Sequence, residues 1–542
     1  MPKPKRIRTR LQNLTAQKKD NFRTDFTHRD VDLSTITQDD VNSISQCSVS
    51  SEDDDENMDV GQHIYDFLKK QLIFSRIFLL IYQFVINKVM KDWPTDAFKG
   101  VPKIENGTRN NLVQDVFGGL ARWDSRHFLH IAEYGYTWES ELAFFPLFPA
   151  VLRISGTFFQ YVVSSLTLSS AMILGGVLIN NALFVLTGLV LFRLVLKLTG
   201  NLKESIIAVY IFCWNPASVF FSSLYTESLY SFVTFGGLLF LQMEPTCKMR
   251  QIITACIFSF GFLTRSNGFL NVFYIGFYLV LELFLKKSDD KLAFEEWNFL
   301  LIKKILNTLP YFLICVLIVE LPLRIFSFVI EEKFCLTTAN YQDPILLEYA
   351  HNKSHILPGN LENLTWCNPN RDPAILFPSF YEHVQEKYWG VGLFGYWEFR
   401  KIPLFIVAAP TIGFIFYGAF DFLFDMALDA RRIEEIIVDR RSLIPYACHS
   451  LVICLAGIFY YNVEVSIRML YSSTPYIYIV IARIISRQTP RVSVPDDLLE
   501  PFVLPFLSIY ARVRPLHFLM LSYLLGYYFI GTMLHVNWLP YV

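Results

Sequence analysis

The sequence predicts an all-α membrane protein of the multi-pass class, with about 11 transmembrane helices (range about 10 to 12) and two large lumenal loops. Two observations support this class. Of the 542 residues, 53% are hydrophobic and only 18% are charged, whereas a soluble chain carries about a quarter charged residues. Long apolar stretches also recur from Leu72 nearly to the C-terminus, and they are too many and too long for the core helices of a globular domain.

The N-terminal segment 1–63 differs in composition from the rest of the chain. It has a basic start at Met1–Arg10 and an acidic run at Glu52–Glu56. Because it buries too little apolar surface to offset the entropy of ordering, we expect a disordered cytosolic tail. No apolar stretch follows the basic start, so no secretory signal is expected. We interpret the basic residues as a topology anchor and expect no nucleic-acid partner. Residues 64–542 then form the membrane domain.

The membrane domain contains the apolar windows that predict the spans. A helix needs about 17–25 mostly apolar residues to cross the hydrocarbon core. Windows that approach or reach this length lie at 72–90, 172–193, 206–224, 228–243, 251–264, 268–285, 306–329, 403–424, 443–461, 467–486 and 516–534. The stretch 143–165 is also apolar, but Pro146, Pro149 and Arg153 interrupt it. It is either an interfacial segment or a twelfth span.

Positive charge predicts which connections face the cytosol. With the N-terminus in the cytosol, basic residues fall on alternate connections, around 193–203, 248–250, 286–304, 431–441 and 483–514. The remaining connections are then lumenal, and they contain three of the four N-glycosylation sequons, at Asn106, Asn352 and Asn363. The fourth sequon, at Asn13, lies in the tail and should remain unmodified.

This orientation leaves two large lumenal segments, 91–171 and 330–402. Long connections are usually functional or disordered, and the many aromatic, Pro and Gly residues of these two argue against disorder. Of the nine cysteines, only Cys335 and Cys367 lie on the lumenal side. In an oxidising compartment they either form a disulfide or remain free thiols, because the sequence does not fix their separation.

The first lumenal segment carries a cluster of titratable residues between apolar stretches: Arg122, Asp124, Arg126, His127, His130 and Glu133. Helical spacing would place Asp124 and His127 on one face. The neighbouring face would carry Arg126, His130 and Glu133. Such a cluster is often only a solvated surface. Charge beside a membrane is nevertheless costly unless it is paired or used, so we interpret this loop as the site of the chemistry.

Several motifs follow one another along residues 65–542. They are Ala121–Tyr136, Ala143–Pro149, Asn215–Ala217, Tyr225–Ser228, Thr264–Gly268, His383–Gly392, Ser472–Pro475 and Gly531–Pro540. In order and spacing this series resembles the PIG-V family, the second mannosyltransferases of glycosylphosphatidylinositol (GPI) anchor assembly. The N-terminal tail is the main departure from the family pattern.

The resemblance implies a GT-C glycosyltransferase of the endoplasmic reticulum membrane with its active site in the lumen. Its donor would be dolichyl-phosphate mannose and its acceptor the GPI precursor mannosyl-glucosaminyl-phosphatidylinositol, with membrane lipids around it. An accessory membrane subunit is left open. The linkage would be α-1,6, and since the donor is β-linked, the reaction would invert the anomeric carbon. No Gly-rich nucleotide loop occurs, and the acidic run Asp53–Asp55 lies in the tail, so we expect no cofactor and no metal.

An inverting transfer needs a base for the acceptor hydroxyl and a cation for the departing phosphate. The resemblance implies Asp124 as the base, balanced in charge by Arg122 and Arg126. Arg126 is our candidate for the phosphate contact, with His127 and Arg265 as alternatives. The remaining candidates for substrate binding are Trp123, Glu227, Asn267, His383, Gln385 and Trp389. Each also has a structural interpretation: Asp124 as an ion pair that pins the loop, Glu227 as a helix-end carboxylate, and the others as packing residues.

Three other functions remain open from the sequence. A transporter or channel would be expected to show internal repeats and charges lining a path at mid-membrane, which we do not find by inspection. A protein O-mannosyltransferase would share the fold and the acidic first loop but not the full motif series. A non-catalytic scaffold subunit would not need its acidic loop residue.

Overall fold

The computed structural model describes residues 55–102, 107–288, 291–294, 299–336, 344–368, 377–428, 443–487 and 515–540. In chain order, the helices are α1 (Asp55–Val89), α2 (Thr108–Phe117), α3 (Asp124–Tyr134), α4 (Leu147–Val162), α5 (Leu168–Thr199), α6 (Leu202–Cys213), α7 (Glu227–Met243), α8 (Lys248–Thr264), α9 (Val272–Phe284), α10 (Phe299–Glu331), α11 (Pro344–Asn352), α12 (Ser379–Trp389), α13 (Ile402–Leu428), α14 (Ile444–Phe459), α15 (Val465–Ser473), α16 (Tyr476–Ser486), α17 (Pro515–Gly526) and α18 (Thr532–Val536). Two short antiparallel strands, β1 (Leu285–Ser288) and β2 (Lys291–Phe294), follow α9.

The predicted all-α, multi-pass class is confirmed. Among the described residues, six helical segments are long and apolar enough to cross a membrane: Gln62–Val89, Leu168–Thr199, Ser266–Phe284, Leu301–Leu336, Phe399–Phe424 and Phe518–Val536. Shorter apolar helices at Ile444–Phe459 and Tyr476–Ser486 fall in the windows predicted at 443–461 and 467–486. Helices predominate because a lipid-embedded backbone must satisfy its hydrogen bonds within the segment.

The tail and the first helix differ from the expected boundary at residue 64. Helix α1 begins at Asp55, so residues 55–63 are helical rather than disordered. Extending an existing helix costs little once it has nucleated, which accounts for the overrun. The expected disorder of residues 1–54 concerns a part of the chain outside the described residues.

The predicted span 206–224 is interrupted. Helix α6 ends at Cys213, and the chain continues through turns until α7 begins at Glu227. Asn215-Pro216 marks the break, because proline has no N–H to donate and cannot continue a helix. Irregular backbone at membrane depth must find other hydrogen-bond partners, and buried side chains from two neighbouring helices provide them.

Those partners come from α1 and α5. Arg76, only 2% exposed, donates to the carbonyl oxygens of Cys213 at 3.0 Å and Ser218 at 3.1 Å. Asn180 donates its side-chain N–H to the carbonyls of Ser223 and Tyr225 at 2.5 and 3.0 Å. The turn segment therefore finds hydrogen-bond partners without being helical, and it leads directly into α7 at Glu227.

One further predicted span is interrupted, and one break falls between two predicted spans, 251–264 and 268–285. The window 467–486 is divided at Thr474-Pro475 into α15 and α16. Between α8 and α9, Arg265 has extended backbone and a 3-10 segment, Ser266–Asn271, follows. Helix α4 begins after Pro146 and has 16 residues, about 24 Å at 1.5 Å per residue, which is short of the hydrocarbon core.

The two lumenal segments are folded and joined to each other. Glu139, fully buried in the first segment, accepts hydrogen bonds from Trp366 Nε1 at 3.0 Å, Lys387 Nζ at 2.7 Å and Tyr388 OH at 2.8 Å. A buried carboxylate needs such partners, and all three lie in the second segment. Together with the hydrogen bond from Lys333 Nζ to Tyr136 O at 2.8 Å, these contacts hold the second segment on the first.

A disulfide joins Cys335 to Cys367, with a Cα–Cα distance of 5.5 Å, so of the two alternatives for these cysteines the bridge is confirmed. The sequon asparagines Asn352 and Asn363 are exposed in the same segment. Asn106 and Asn13 lie outside the described residues.

Candidate active site

Four ends of helices meet at one place and bring four charged side chains together. Asp124 is the first residue of α3 and Glu227 is the first residue of α7. Arg265 directly follows α8, and Arg468 lies in the short helix α15. A carboxylate is stabilised at a helix N-terminus by the partial positive charge there, so both acidic residues stand at electrostatically favourable positions.

Arg468 bridges the two carboxylates. Its Nη1 lies 3.3 Å from Asp124 Oδ2 and its Nε lies 2.8 Å from Glu227 Oε1. Arg265 Nη1 approaches the same Glu227 oxygen at 3.3 Å and donates to Ser472 Oγ at 3.1 Å. The cluster therefore contains two guanidiniums and two carboxylates, and its formal charges balance.

The four side chains differ in exposure. Glu227 is fully buried, and the Arg265 and Arg468 side chains are 10% and 13% exposed. The Asp124 side chain is 36% exposed. Asp124 is thus the carboxylate of the cluster that an external molecule can reach.

Aromatic rings fix the bridging arginine. The Arg468 guanidinium carbon lies 4.5 Å from the ring centre of Phe220 and 4.6 Å from that of Tyr225, close enough for cation–π attraction. The Tyr225 hydroxyl also accepts a hydrogen bond from the backbone N–H of Asp124 at 3.1 Å. Tyr225 therefore links the arginine to the start of α3.

The surroundings of Asp124 shift its pKa upward. Burial raises the pKa of the Asp124 carboxyl above its ordinary value, while the charge and hydrogen bond of Arg468 lower it. Burial dominates. The carboxylate is consequently a stronger base than an aspartate in water.

The backbone before Asp124 is strained. Trp123 has φ = 54°, in the left-handed region that bulky residues avoid. Its ring lies 5.6 Å from the ring of Trp538, which itself has φ = 61°. Strain of this kind costs energy and persists only where the surroundings impose it. The contact between the two tryptophans therefore helps to set the direction in which α3 starts.

The structure corrects the expected charge partner of Asp124. Arg122 Nη1 forms its ion pair with Asp92 Oδ2 at 2.8 Å, and its guanidinium carbon lies 5.2 Å from the Trp538 ring. Arg122 therefore does not balance Asp124; Arg468 does. Arg126 lies two residues after Asp124 on α3 and is partly buried. Its backbone N–H donates to Trp123 O at 2.9 Å.

His127 is not suited to hold a phosphate as a cation. Its ring stacks between Phe98 and Phe144, with ring centres 4.6 and 4.7 Å away. Burial, assisted by the charge of His355, lowers the pKa of His127 to about 3, so its ring is neutral at pH 7. Its contacts assign it a packing role.

Asn267 lies beside the charged cluster and bonds to residues next to it. Its side-chain N–H donates to Ser473 Oγ at 2.7 Å and to Tyr230 OH at 3.2 Å. Since Ser473 is the last residue of α15, this amide ties the 3-10 segment after Arg265 to the helix that carries Arg468.

The candidates in the second lumenal segment lie on α12 and bond within that segment. His383 Nε2 is 3.1 Å from Thr365 Oγ1, and the carbonyl of Gln385 accepts from the N–H of Val391 at 3.2 Å. The ring of Trp389 lies 5.9 Å from that of Phe144. The structure thus brings Asp124, Glu227, Arg265 and Asn267 together. His383, Gln385 and Trp389 lie on α12, outside this cluster.

Arg468 is the functional residue that the sequence analysis missed. It lies just inside the predicted span 467–486, on the side where the lumenal connection ends. A charged residue at the edge of an apolar window is costly without a partner, and this signal could have identified it. Glu139 had no comparable signal, because its role depends on contacts across more than 200 residues of chain. Tyr225 stood out only as part of the motif Tyr225–Ser228, and its contact with Asp124 spans 101 residues.

The sequence matches known proteins along most of its length. The family model "Mannosyltransferase (PIG-V)" matches residues 65–542. "GPI mannosyltransferase pigv-1" of Caenorhabditis elegans is 30% identical over 89% of this chain and 81% of its own. "GPI alpha-1,6-mannosyltransferase 2" of Cricetulus griseus is 28% identical over 86% of this chain and 97% of its own. The Homo sapiens protein of that name is 27% identical over the same shares.

Among solved structures, the archaeal oligosaccharyltransferase AglB from Archaeoglobus fulgidus, in complex with an inhibitory peptide and a dolichol-phosphate, matches with 11% identity and a TM-score of 0.37. The match covers 85% of this chain and 56% of that chain.

Proposed function

The chain belongs to the PIG-V family of mannosyltransferases, and we propose that it adds an α-1,6-linked mannose to a GPI precursor glycolipid, as the names of its curated relatives state for them. The donor is dolichyl-phosphate mannose, and the reaction takes place on the lumenal side of the endoplasmic reticulum membrane. The observation that carries this proposal is the charge-balanced cluster of Asp124, Glu227, Arg265 and Arg468.

The placement in the lumen is supported by the neighbours of the cluster. Glu139, fifteen residues after Asp124 in the same segment, accepts hydrogen bonds from the second segment. That second segment contains the disulfide Cys335–Cys367 and exposed sequons. Disulfides persist in oxidising compartments, which supports a lumenal position for both segments. With one span, α1, between the N-terminus and the first segment, this position would put the N-terminus in the cytosol.

In the proposed mechanism Asp124 acts as the base. It accepts the proton of the acceptor hydroxyl while that oxygen forms its bond to the anomeric carbon of mannose. The bond from this carbon to the phosphate oxygen breaks, and its electron pair leaves with the dolichyl phosphate. Attack opposite the leaving group turns the β-linked donor into an α-linked product. A positioned base of this kind contributes about 10²–10⁴-fold.

The charge balance of the cluster fits this step. Before transfer, the two guanidiniums are matched by the carboxylates of Asp124 and Glu227. When Asp124 takes the proton it becomes neutral, and the cluster gains one surplus positive charge. At the same moment the departing phosphate gains one negative charge. The site therefore develops its positive charge as the leaving group develops its negative charge, which stabilises the transition state.

Arg265 is the proposed phosphate contact. It lies at a break between two membrane helices, where irregular backbone usually lines a cavity, and a guanidinium matches phosphate oxygens in a bidentate manner. Arg126 on α3 is the alternative. Arg468 is a poorer candidate because both of its edges are already engaged by carboxylates.

Microsomes that lack the endogenous enzyme and carry variants of this chain test the proposal. Labelled mannose should pass from dolichyl-phosphate mannose to the mannosyl-glucosaminyl-phosphatidylinositol acceptor, and this acceptor should accumulate without the chain. Asp124→Asn should lower transfer by about 10²–10⁴-fold at unchanged expression. Asp115→Asn is the matched control: Asp115 lies in the same segment, 62% exposed and paired with Lys88, and its loss should leave transfer unchanged. Normal transfer by Asp124→Asn would remove the assigned base.

The phosphate contact has its own control at the other end of α8. Arg265→Gln should raise the apparent KM for the donor, whereas Arg250→Gln should not. Arg250 contacts Glu244 at 3.5 Å, Met243 Sδ at 3.4 Å and the Phe240 ring, all at the other end of α8. An unchanged donor KM for Arg265→Gln, with a raised one for Arg126→Gln, would transfer the role to Arg126.

A further inference from the structure

The loop between α12 and α13, residues 390–401, caps the lumenal end of helix α14. The last carbonyl groups of a helix lack partners within it, and this loop supplies donors for them. The backbone N–H groups of Gly392 and Phe394 donate to two carbonyls at the end of α14, at 3.1 and 2.6 Å. The indole Nε1 of Trp397 donates to the carbonyl of Ile458 at 2.6 Å. Because α14 is an apolar helix, the α12–α13 loop lies at the level where that helix leaves the bilayer.

The α12–α13 loop presents apolar side chains outward. Phe399 is 92% exposed and Leu393 is 69% exposed, and Phe394 and Trp397 are about half exposed. Phe394 has φ = 56°, in the left-handed region that bulky residues avoid. Backbone strain of this kind persists only where the surrounding structure imposes it. The hydrogen bonds to α14 impose it here, so the fold keeps an apolar ring at the surface.

This apolar surface continues directly into a membrane span. The segment Phe399–Phe424 is long and apolar enough to cross a membrane. Phe399, Ile402 and Ile406 follow one another at spacings of three and four residues, which places them on one side of the helix. All three are exposed. The exposed side chains of the loop therefore stand at the lumenal edge of the row that faces lipid on α13.

We propose that the α12–α13 loop binds the lumenal surface of the bilayer, with its exposed apolar side chains at the upper acyl chains and Arg400 at the lipid phosphates. Tryptophan and tyrosine favour this interface. Arg400 is exposed, and a guanidinium matches phosphate oxygens. Positive charge is disfavoured in lumenal connections, and a phosphate contact accounts for this arginine. The inference concerns a lipid surface and does not depend on the proposed sugar transfer.

The inner side of the loop reaches the helix that carries Arg468. Tyr396 is buried, and its hydroxyl donates to Glu464 Oε1 at 2.5 Å. Glu464 is the N-cap residue of α15, and Arg468 follows about one helical turn later. The Lys401 ammonium lies 4.5 Å from the ring centre of Tyr396. Lipid bound to the outer side therefore holds the start of α15, and with it the charged cluster, at a fixed height above the bilayer.

Photo-crosslinking identifies what touches the loop. The photoreactive residue p-benzoylphenylalanine replaces Leu393 or Phe399 in the full chain, in endoplasmic reticulum microsomes; both positions are exposed enough to accept it. The matched control replaces Leu361, which is 56% exposed in the same lumenal segment and lies two residues from the sequon at Asn363. Illumination should give lipid adducts at both loop positions, detected by the mass of the labelled peptide, and none at Leu361.

Three results would overturn the inference. The first is an adduct with a second copy of the chain or with another protein at the loop positions. The second is a lipid adduct as abundant at Leu361 as at the loop. The third is the absence of a lipid adduct from both loop positions.

Fluorescence quenching measures the depth of the loop. In nanodiscs made with brominated lipids, the emission of Trp397 is the difference between the wild type and Trp397→Phe. Bromine near the carbonyl end of the acyl chain should quench this emission more strongly than bromine near the methyl end. Equal quenching by the two lipids, or none by either, would contradict an interfacial position.

The link to the charged cluster has a separate test, which rests on the proposed function. The double variant Leu393→Ser with Phe399→Ser changes two exposed residues, so its thermal stability in detergent should match the wild type. In nanodiscs its kcat should fall about tenfold, less than the 10²-fold that a 1 Å displacement can cause, and Leu361→Ser should cause no fall. In detergent, where no bilayer sets the height, the double variant should match the wild type.

A loss of equal size in nanodiscs and in detergent, or no loss in nanodiscs, would refute the link between the loop and the cluster. If the wild-type chain transfers no mannose in either medium, the proposed function fails, whereas the crosslinking and quenching results still decide whether the loop binds lipid.

Discussion

Replacing Arg468 tests two roles of this arginine: it compensates the charge of the buried Glu227, and it lowers the pKa of Asp124. Arg468→Gln takes away the cation that contacts Asp124 at 3.3 Å and Glu227 at 2.8 Å. The double variant Arg468→Gln with Glu227→Gln also removes the buried carboxylate that the single substitution leaves poorly compensated. We expect the single variant to be destabilised and its pH dependence to change. We expect the double variant to recover part of its stability but not its pH dependence.

The size of the destabilisation follows from burial. Breaking a buried ion pair by removing one partner costs about 3–5 kcal/mol. Glu227 is fully buried but keeps Arg265 at 3.3 Å, so the loss should lie at the lower end, about 3 kcal/mol. The ring contacts of Arg468 with Phe220 and Tyr225 add about 1 kcal/mol. The double variant should restore part of the loss, because the remaining charges of Asp124 and Arg265 balance, although Arg265 loses the Glu227 oxygen that it contacts at 3.3 Å.

The pH dependence has a definite sign. Asp124 must be deprotonated to act as a base, so transfer falls as the pH drops through its pKa. Burial raises this pKa and Arg468 opposes the rise. Without Arg468 the pKa of Asp124 rises further, and the acidic limb of kcat/KM must move to higher pH in both variants.

Thermal unfolding in nanodiscs and pH profiles of transfer measure the two effects. Glu227→Gln alone completes the double-mutant cycle, and its acidic limb should move to lower pH, because the charge of Glu227 raises the pKa of Asp124. An acidic limb in Arg468→Gln that coincides with the wild-type limb would refute the assignment of Asp124 as the titrating base. A double variant no more stable than Arg468→Gln would refute the charge-compensation argument.

Three other predictions concern the lumenal segments and the C-terminus. Asn352→Gln and Asn363→Gln should each remove one step of the endoglycosidase-sensitive mobility shift; two unchanged shifts would contradict the lumenal placement. Cys335→Ser should open the bridge to Cys367 and destabilise the fold by about 3–4 kcal/mol for a loop of this length, and reductant should lower the thermal stability of the wild type only. Trp538→Ala should lower kcat by about 10–100-fold with little change in KM, because it releases the strained residue before the base, and Trp538→Phe should recover part of the rate; equal losses in both variants, or a change confined to KM, would contradict a positioning role.

The fold class could be predicted because it depends on composition and on the length of apolar windows. The interruptions could not be predicted in the same way. The window 206–224 is apolar enough to predict a span, yet α6 stops at Cys213. What stabilises the turns after it is Arg76, a residue more than 130 positions earlier. Average hydropathy reports the preference of a segment for lipid, and it contains no information on whether a distant side chain will satisfy an open backbone.

The charged cluster also could be predicted only in part, because its assembly depends on contacts between distant parts of the chain. Asp124, Glu227 and Arg265 each stood out in the sequence, but as separate candidates near different spans. Their assembly depends on Arg468, which contacts two of them across 344 and 241 residues of chain. The expected pairing of Asp124 with Arg122 relied on nearness in sequence, and it was wrong because Asp92 competes for that arginine in space.

The geometry supports Asp124 rather than Glu227 as the proposed base. Asp124 and Glu227 share the same arginine, and both begin a helix, so their local electrostatics are similar. Glu227, however, is fully buried with two guanidiniums on one oxygen, and a proton acceptor must come within hydrogen-bond reach of the acceptor hydroxyl. Asp124 is more than a third exposed and touches only one guanidinium. Glu227 therefore fixes both arginines in place, and that arrangement keeps Asp124 charged at the surface where the glycolipid arrives.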